Sequence, residues 1–419
     1  MYNFMVTIQD RPELGRLVKA VFLEHVDLGG EDHDADQYNQ LVEASIVSLG
    51  MWPTENAYAQ RMDLVRKMSH YEGLGQAIIA HLRNIEKLHY ELDIGSALVI
   101  FDSLAWAGRA FSILHKPANV LWPHLQDLGE PGTSEQLEFL ERDVANSSFA
   151  ISLEACDGLL SLAPRVSKLH LRSFMGSCGV VTVLENLTQL HLQSADLESA
   201  ESLDRILRSI RSLEVFSFTW THDQLTAFEA YLGGFGGITL DEVVDHLKRH
   251  HKDTLKRLQL GFPADYHDLD ESIEFPQLTD FSVLEELKIQ GDIIPELHDI
   301  DFDDDGDDYE SPSEDTSLVE FLPVSIRRLH IMFGGTSQVH QLLEVASDAE
   351  QPSTARKLPH LREVTVMSYC PSKGSRDNYQ IYRQFCILGW HWLISAFAKT
   401  DIAFSTRTST QVEWDICEF

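Results

Sequence analysis

The stretch PRVSKLHLRSFMGSCGVVTVLENLTQLHLQ, residues 164–193, contains the same short apolar phrase twice. The phrase has the form apolar-x-x-apolar-x-apolar, and its two copies are formed by Val166, Leu169 and Leu171 and by Leu187, Leu190 and Leu192. Its last two apolar residues are two positions apart, so both point to one face of a β-strand. A single copy is equally consistent with an isolated strand or an amphipathic helix, and only recurrence separates these interpretations.

The phrase recurs through most of the chain. Further copies begin at Ile85, Leu213, Leu255, Leu284, Ile326 and Leu361, and a looser copy begins at Leu14. The central residues of successive copies from residue 169 onward lie between 21 positions apart (Leu169 to Leu190) and 42 positions apart (Phe216 to Leu258). One short strand cannot bury its apolar face alone, whereas stacked copies share a continuous core. The recurrence predicts an α/β fold, an irregular leucine-rich-repeat solenoid that is curved and built of helix–strand repeats.

The same pattern predicts how the chain is divided. We expect one solenoid over residues 1–419, with N-terminal repeats in 1–92, an irregular helical segment in 93–163, the best-defined repeats in 164–370 and a C-terminal cap in 371–419. Within 117–131 we expect a weaker repeat whose register the pattern does not define. Helices are predicted before several strands, at 73–83, 199–211, 239–251 and 339–346.

Composition restricts the classes of partner. The chain has 33 basic and 66 acidic residues and a net charge of −33, so bulk charge disfavours nucleic acids and anionic membranes and favours a basic or zwitterionic protein. The cysteines are odd in number, scattered and without a CxxC pair, which is typical of reduced thiols inside the cell; they are Cys156, Cys178, Cys370, Cys386 and Cys417. Neither a signal peptide nor an apolar run of membrane-spanning length is found, and we expect a cytoplasmic or nuclear protein.

The most acidic stretch, DIDFDDDGDDYESPSED, covers residues 299–315. Asp301, Asp303, Asp305 and Gly306 fit the first positions of a calcium-binding loop, but Pro312 stands where a bidentate glutamate is needed. We therefore interpret residues 299–317 as an acidic disordered insertion between two repeats. A docking segment for a basic partner is the alternative.

Three other groups of residues have the composition of possible sites. His246, His250 and His251 lie on one predicted helix, where two of them could chelate a metal, but a basic helix end is favoured because no further ligand is identifiable. The tryptophans of Trp390-His391-Trp392 are interpreted as core of the C-terminal cap rather than as a ligand site. Residues 233–237, GGFGG, lack a Walker lysine and indicate a flexible loop. We predict no catalytic, cofactor or metal site, and hence no enzyme.

Four stretches resemble the large group of fungal F-box-type proteins with degenerate leucine-rich repeats. They are RPELGRLVKAVFL (11–23), AIIAHLRNIEKLHYEL (77–92), LLSLAPRVSKLHL (159–171) and HLKRHHKDTLKRLQLG (246–261). The resemblance spans most of the chain and implies a protein that recognises substrates for a cullin-type ubiquitin ligase through its adaptor subunit. Only ten residues precede Arg11, which is too few for the three-helix F-box, so we expect the F-box itself to be absent from this chain.

These observations predict a non-enzymatic protein-binding scaffold. A standalone adaptor or regulator with no ligase link is the first alternative, and a hydrolase hidden in residues 93–136 and the C-terminal tail is a remote one. The polar positions of the phrase are the candidate partner-binding residues; they are Lys168, His170, Gln189, His191, Lys256, Gln259, Lys288 and His330.

Overall fold

The computed structural model describes residues 2–23, 40–45, 70–82, 84–90, 127–129, 160, 163, 165–172, 175–176, 184–197, 199–220, 238–261, 276–290, 317–332, 337–369 and 391–409. The described residues form a mixed α/β fold, whose strands are parallel wherever their pairing is described. The chain divides into two compact units, Met1–Ser212 and Leu213–Phe419, called here the N-terminal and the C-terminal unit.

The described strands of the N-terminal unit follow one another in space almost as they do in sequence. Helices α1 (Tyr2–Asp10) and α2 (Pro12–Gly15) precede β1 (Ala20–Leu23), and α3 (His70–His81) precedes β2 (Lys87–Tyr90). Then come β3 (Asp127–Gly129), β4 (Lys168–Arg172), β5 (Met175–Gly176), β6 (Gln189–Leu197) and α4 (Ala200–Ser209). The parallel order is β1-β2-β3-β4-β6, and β5 pairs with the far end of β6.

The C-terminal unit has the same organisation. Its elements are β7 (Val215–Trp220), α5 (Leu240–His251), β8 (Arg257–Gly261), β9 (Glu286–Gln290), α6 (Leu318–Phe321), β10 (Arg328–Met332), α7 (Ser337–Glu350), β11 (Glu363–Tyr369), a helical stretch over residues 391–397, and β12 (Ala403–Ser409). Each described strand is parallel to the next one in the sequence, from β7 to β12.

The apolar residues of the repeated phrase form the core of both units. In the copy that forms β9, for example, Leu284, Leu287 and Ile289 are all buried, and the matching residues of the copies that form β4, β6, β7, β8, β10 and β11 are buried as well. Burying one such leucine or isoleucine side chain contributes roughly 1.5–3 kcal/mol. The predicted strands and the burial of their apolar residues are therefore confirmed for these described copies.

One hydrogen-bond arrangement recurs at the start of six described strands. The carbonyl oxygen of Glu214 accepts from the backbone N–H groups of both Lys256 (2.8 Å) and Arg257 (3.0 Å) in the next copy of the phrase. The carbonyl oxygen of Glu285 accepts in the same way from Arg327 and Arg328. The equivalent carbonyls of Lys19, Ser167, Lys256 and Arg327 do the same. The register pairs Val21 with Leu88, so the first copy begins at Val18 and not at Leu14. Equivalent residues of successive copies thus occupy equivalent backbone environments.

The helices follow the predicted periodicity. In α4, Leu203, Ile206 and Leu207 are buried, and Ile210 continues the same face. Helix α5 begins at a capping box, in which Glu242 N–H donates to Thr239 Oγ1 (3.2 Å) while Thr239 N–H donates to Glu242 Oε2 (2.9 Å). This confirms Thr239 as the N-cap.

Some expectations differ from the structure or fall outside it. Helix α7 is longer than the predicted 339–346, because Ala349 is buried and continues the apolar face of Leu342, Val345 and Ala346. The weak repeat expected within 117–131 corresponds to β3, which has one apolar residue, Leu128, and so shows no recognisable phrase. The glycine-rich residues 233–237 and residues 299–316 of the acidic insertion lie outside the described part. The domain boundaries stay predictions.

Trp392 corrects the interpretation of the C-terminal tryptophans as core. Trp392 is 64% exposed, whereas Leu393 and Phe397 in the same helical stretch are buried. Positions i and i+4 of a helix share a face, so Leu393 and Phe397 form the buried face, and a neighbouring position points about 100° away from it. Phe397 also stacks on Phe404 of β12, with 4.8 Å between the ring centroids. Trp390 lies outside the described residues.

Candidate binding face

Every second residue of the strands in the C-terminal unit faces away from the buried leucines. The register aligns the first two of these residues on each strand in two rows that cross the strands. The first row runs Val215, Arg257, Glu286, Arg328, Glu363 and Ala403, and the second runs Ser217, Gln259, Lys288, His330, Thr365 and Ser405. Together these twelve residues are called the polar face. Because strands lie about 4.8 Å apart, neighbours within a row are within side-chain reach of one another.

Charges alternate in sign along the middle of the first row. Arg257, Glu286, Arg328 and Glu363 occupy adjacent strands β8 to β11, and these four residues are called the charge row. The guanidinium of Arg328 forms an ion pair with the carboxylate of Glu286. Opposite charges placed directly across neighbouring strands stabilise a sheet, so the register and the charge pattern agree.

Glu286 is the most buried charge of this row. Its side chain is 9% exposed, compared with 46% for Arg328, and its Oε1 lies 3.5 Å from His330 Nε2. Burial raises the pKa of the Glu286 carboxyl above its ordinary value, and the positive charges of Arg328 and Arg257 oppose that rise. The pair therefore has a carboxylate that is costly to bury and a guanidinium that compensates for much of the cost.

The second row consists of hydrogen-bonding side chains and contains no carboxylate. Thr365 Oγ1 lies 3.0 Å from Ser405 Oγ on the next strand and donates a weaker bond of 3.4 Å to Glu363 Oε1. Gln259 is buried, and its side-chain amide has no hydrogen-bond partner among the residues that the structure describes. A buried amide left without partners costs about 1–3 kcal/mol.

In the N-terminal unit, two histidines occupy strand positions equivalent to those of the second row. His170 and His191 are register partners on β4 and β6, and their rings stack with 4.1 Å between centroids and 5° between planes. Ring nitrogen lone pairs lie in the ring plane, so two parallel stacked imidazoles do not direct them at one metal ion between the rings. Lys168 and Gln189 are register partners on the same two strands.

The structure places the eight predicted partner-binding residues in different environments. Lys168, His170, Gln189 and His330 are half-buried on strand faces. His191, Gln259 and Lys288 are buried rather than exposed, since side chains of adjacent strands stand close on either side of the middle positions. Lys256 is exposed but precedes β8, and its Nζ pairs with Glu214 Oε1 at 3.0 Å, so it belongs to neither row. Whether any of them meets a partner remains a prediction.

Sequence analysis did not single out the charge row. Its residues occupy the position just before the central apolar residue in four consecutive copies of the phrase, and they read Arg257, Glu286, Arg328 and Glu363. Aligning the copies shows this alternation of sign. The pairing of these charges across strands depends on the parallel register, which a single sequence does not provide.

One serine–histidine pair resembles the nucleophile and general base of a catalytic site. Ser45 Oγ lies 2.7 Å from His81 Nε2, within the distance required of a nucleophile and its base. Ser45 is fully buried, so its oxygen is not open to a substrate, and the pair links the helix at residues 40–45 to α3. We assign it a structural role.

Within the described residues, no three histidine, cysteine, aspartate or glutamate side chains come together in a group that could hold a metal ion. In α5, His251 is buried, and its ring centroid lies 6.3 Å from that of His250. His246 Nδ1 lies 3.5 Å from Arg249 Nη1 on the same helix. The carboxylates of the calcium-loop interpretation lie outside the described residues. In the same part of the chain, no helix combines the length and apolar character needed to cross a membrane.

Comparisons with known proteins do not add a function. No protein-family model matches the chain, and no curated protein matches its sequence.

Proposed function

We propose that the chain is a leucine-rich-repeat-type solenoid that serves as a non-enzymatic protein-binding scaffold in the cytoplasm or nucleus. One observation carries this proposal. In six copies of the phrase, the same backbone carbonyl accepts from the same two N–H groups of a following copy, so a polar row of one strand continues onto its neighbour. Stacked repeats of this kind present extended surfaces that suit protein partners.

The polar face is the proposed binding surface. It extends over six parallel strands among the described residues of the C-terminal unit, which corresponds to about 24 Å between its first and last strand. It combines charges of both signs with hydroxyl and amide groups, and several of these side chains are exposed or half-buried. A surface of this composition suits a polar peptide segment better than a small apolar ligand.

The resemblance to F-box-type proteins adds a more specific version of this function. In that version the scaffold recognises substrates for a cullin-type ubiquitin ligase. The alternative is a standalone adaptor or regulator. The two versions differ in one observable: the ligase adaptor and cullin subunits co-purify with the scaffold only in the first.

Site-directed photo-crosslinking in the native cell tests the scaffold function. The tagged full-length chain would carry a photoreactive residue at Ser405, an exposed position of the polar face, or at Val324, an exposed position outside it. The proposal predicts a discrete crosslinked protein from position 405 and none from position 324. Equal crosslinking from both positions would contradict it, and mass spectrometry of the co-purifying proteins separates the two versions.

A further inference from the structure

We propose that Thr354, in the turn between α7 and β11, is phosphorylated by a protein kinase that recognises basic residues after its target, and that the phosphate then takes Arg356 from its ion pair with Asp401. This modification site is independent of the proposed scaffold function. It follows from the exposure of the turn, from the hydrogen bonding of its hydroxyl groups and from the two cations that come directly after it.

The turn is the exposed connection that leaves the end of α7. Residues 351–355 are all exposed. The backbone N–H of Ala355 donates to the carbonyl oxygen of Pro352 at 2.7 Å, so Thr354 is the third residue of a four-residue β-turn. The carboxylate of Asp348 accepts from two backbone N–H groups just after the turn, at 2.9 and 3.0 Å. Its base is therefore fixed, while its tip is accessible to an enzyme.

The hydroxyl of Thr354 differs from others that have a basic residue close behind them. Among the described residues, the hydroxyl side chains two positions before a lysine or arginine are Ser209, Thr254, Ser325, Thr354 and Ser405. Three of them donate to backbone carbonyls, and Ser405 bonds to Thr365. The Thr354 hydroxyl has no hydrogen-bond partner within the described chain, and it alone of these five lies in an exposed turn. It is the one of the five that is ready to accept a phosphoryl group.

Two cations follow the acceptor, and both have partners in the unmodified chain. Arg356 Nη1 lies 2.8 Å from Asp401 Oδ1, and Arg356 Nε donates to the carbonyl oxygen of Gln351 at 2.9 Å. Lys357 Nζ lies 2.7 Å from Glu320 Oε1, and both of these side chains are more than half exposed. Exposed ion pairs are weak, so acidic side chains of a kinase compete readily for Lys357. Arg356 is only 15% exposed and is the cation held closest to the turn.

The reaction needs one co-substrate, a nucleoside triphosphate, which the kinase binds. Thr354 Oγ1 forms a bond to the γ-phosphorus while the bond between that phosphorus and the bridging oxygen breaks, and the nucleoside diphosphate leaves. The hydroxyl proton passes to a carboxylate base of the kinase. A neutral hydroxyl is thereby replaced by a phosphate ester with a charge of about −1.5 to −2 at neutral pH.

The phosphate and the carboxylate of Asp401 then compete for one guanidinium. Arg356 lies two residues after Thr354, and a phosphate offers it more charge and more acceptor oxygens than a carboxylate does. Asp401 keeps its second partner, Arg362, whose Nη1 lies 3.2 Å from Asp401 Oδ2. Asp401 lies two residues before β12, so the modification weakens the link between the turn and the start of that strand.

Phosphorylation of the purified full-length chain tests the site. The chain is incubated with magnesium–ATP and a protein kinase selective for acceptors that precede arginine or lysine. An endoproteinase that cleaves after glutamate releases residues 351–363, because Glu350 and Glu363 flank the turn, and mass spectrometry locates the phosphate. We expect Thr354→Val to lose the phosphate on this peptide. Ser353→Ala removes the neighbouring exposed hydroxyl and is the matched control, which keeps the phosphate.

A phosphorus NMR titration tests the contact with Arg356. Phosphothreonine is introduced at position 354 during translation, so the variants do not depend on a kinase. Pairing with a guanidinium favours the dianion and lowers the second pKa of the phosphate, so we expect a lower titration midpoint in the folded chain than in the isolated peptide 351–363. Arg356→Gln is expected to remove this difference. Arg362→Gln, which removes the other partner of Asp401, is the control and leaves it in place.

Several outcomes would overturn the inference. The site is refuted if the folded chain takes no phosphate at Thr354, takes it on Ser353 instead, or takes it at Thr354 only after denaturation in urea. The exchange of partners is refuted if the titration midpoint equals that of the peptide, or if Arg356→Gln and Arg362→Gln shift it equally. Circular dichroism confirms that each variant is folded. None of these outcomes affects the scaffold function, which depends on whether a partner is crosslinked from position 405.

Discussion

The carboxylate of Glu286 on β9 and the guanidinium of Arg328 on β10 form an ion pair between register partners on adjacent parallel strands. The two side chains differ in environment, because Glu286 is almost buried while nearly half of Arg328 remains exposed. The pair therefore links the core of the sheet to its accessible surface.

The buried carboxylate predicts a pH dependence of stability. The pKa of Glu286 is raised in the folded protein, mainly by burial, so the folded state binds this proton more tightly than the unfolded state. The contribution of Glu286 to the free energy of unfolding is then more favourable below the raised pKa than above it. It is lost as the pH rises from the ordinary range of glutamate through the raised value.

Glu286→Gln isolates this contribution, because glutamine is neutral at every pH. We expect the difference in the free energy of unfolding between wild type and variant to move in favour of the wild type when the pH is lowered from 7.5 to 5, as measured by urea denaturation. Glu285→Gln, which removes the neighbouring half-exposed carboxylate, is the matched control. A difference that stays constant with pH would contradict the described burial of Glu286.

The capping box of α5 gives a second prediction. Thr239→Ala removes the hydroxyl that accepts from the backbone N–H of Glu242, and we expect the free energy of unfolding to fall by about 1 kcal/mol. Thr239→Ser keeps an acceptor at the same position and should retain most of that stability. Urea denaturation of both variants distinguishes the lost hydrogen bond from a lost methyl group, since equal losses would assign the effect to the methyl.

The sequence predicts the strands and helices well because their signals are local. In β9, Leu287 and Ile289 identify a buried strand face by their spacing alone, and Thr239 identifies a helix start by its chemistry. The polar face was predicted only in outline. Gln259 and Lys288 follow the alternation that makes them face away from the leucines, but their burial depends on side chains of other strands, which the phrase does not specify.

The charge row and β3 are two features that the sequence did not define, because both depend on pairing between distant strands. The importance of Glu286 depends on the register, which places it between Arg257 and Arg328, because nothing local to β9 distinguishes it in the sequence from an exposed glutamate. Strand β3 has a single apolar residue, Leu128, and exists because β2 and β4 both pair with it. Long-range pairing outweighs weak local preference there.

A buried leucine of the phrase gives a third prediction. Leu287→Ala in β9 removes a fully buried side chain from between the flanking strands, and we expect a loss of about 2–5 kcal/mol in the free energy of unfolding. Val324→Ala, at an exposed site in the same unit, should change it by less than about 0.5 kcal/mol. Similar losses for the two variants would show that Leu287 does not belong to the core.

The C-terminal helix–strand pair gives a last prediction, which tests the corrected role of its aromatic residues. Phe397 is buried and stacks on Phe404 of β12, so Phe397→Ala should lower the free energy of unfolding by about 3–5 kcal/mol. Trp392 is a larger side chain but is mostly exposed, and Trp392→Ala should therefore cost less than about 0.5 kcal/mol. Urea denaturation measures both values. The reverse order would restore Trp392 to the core, because a large loss on truncation requires contacts that an exposed indole does not make.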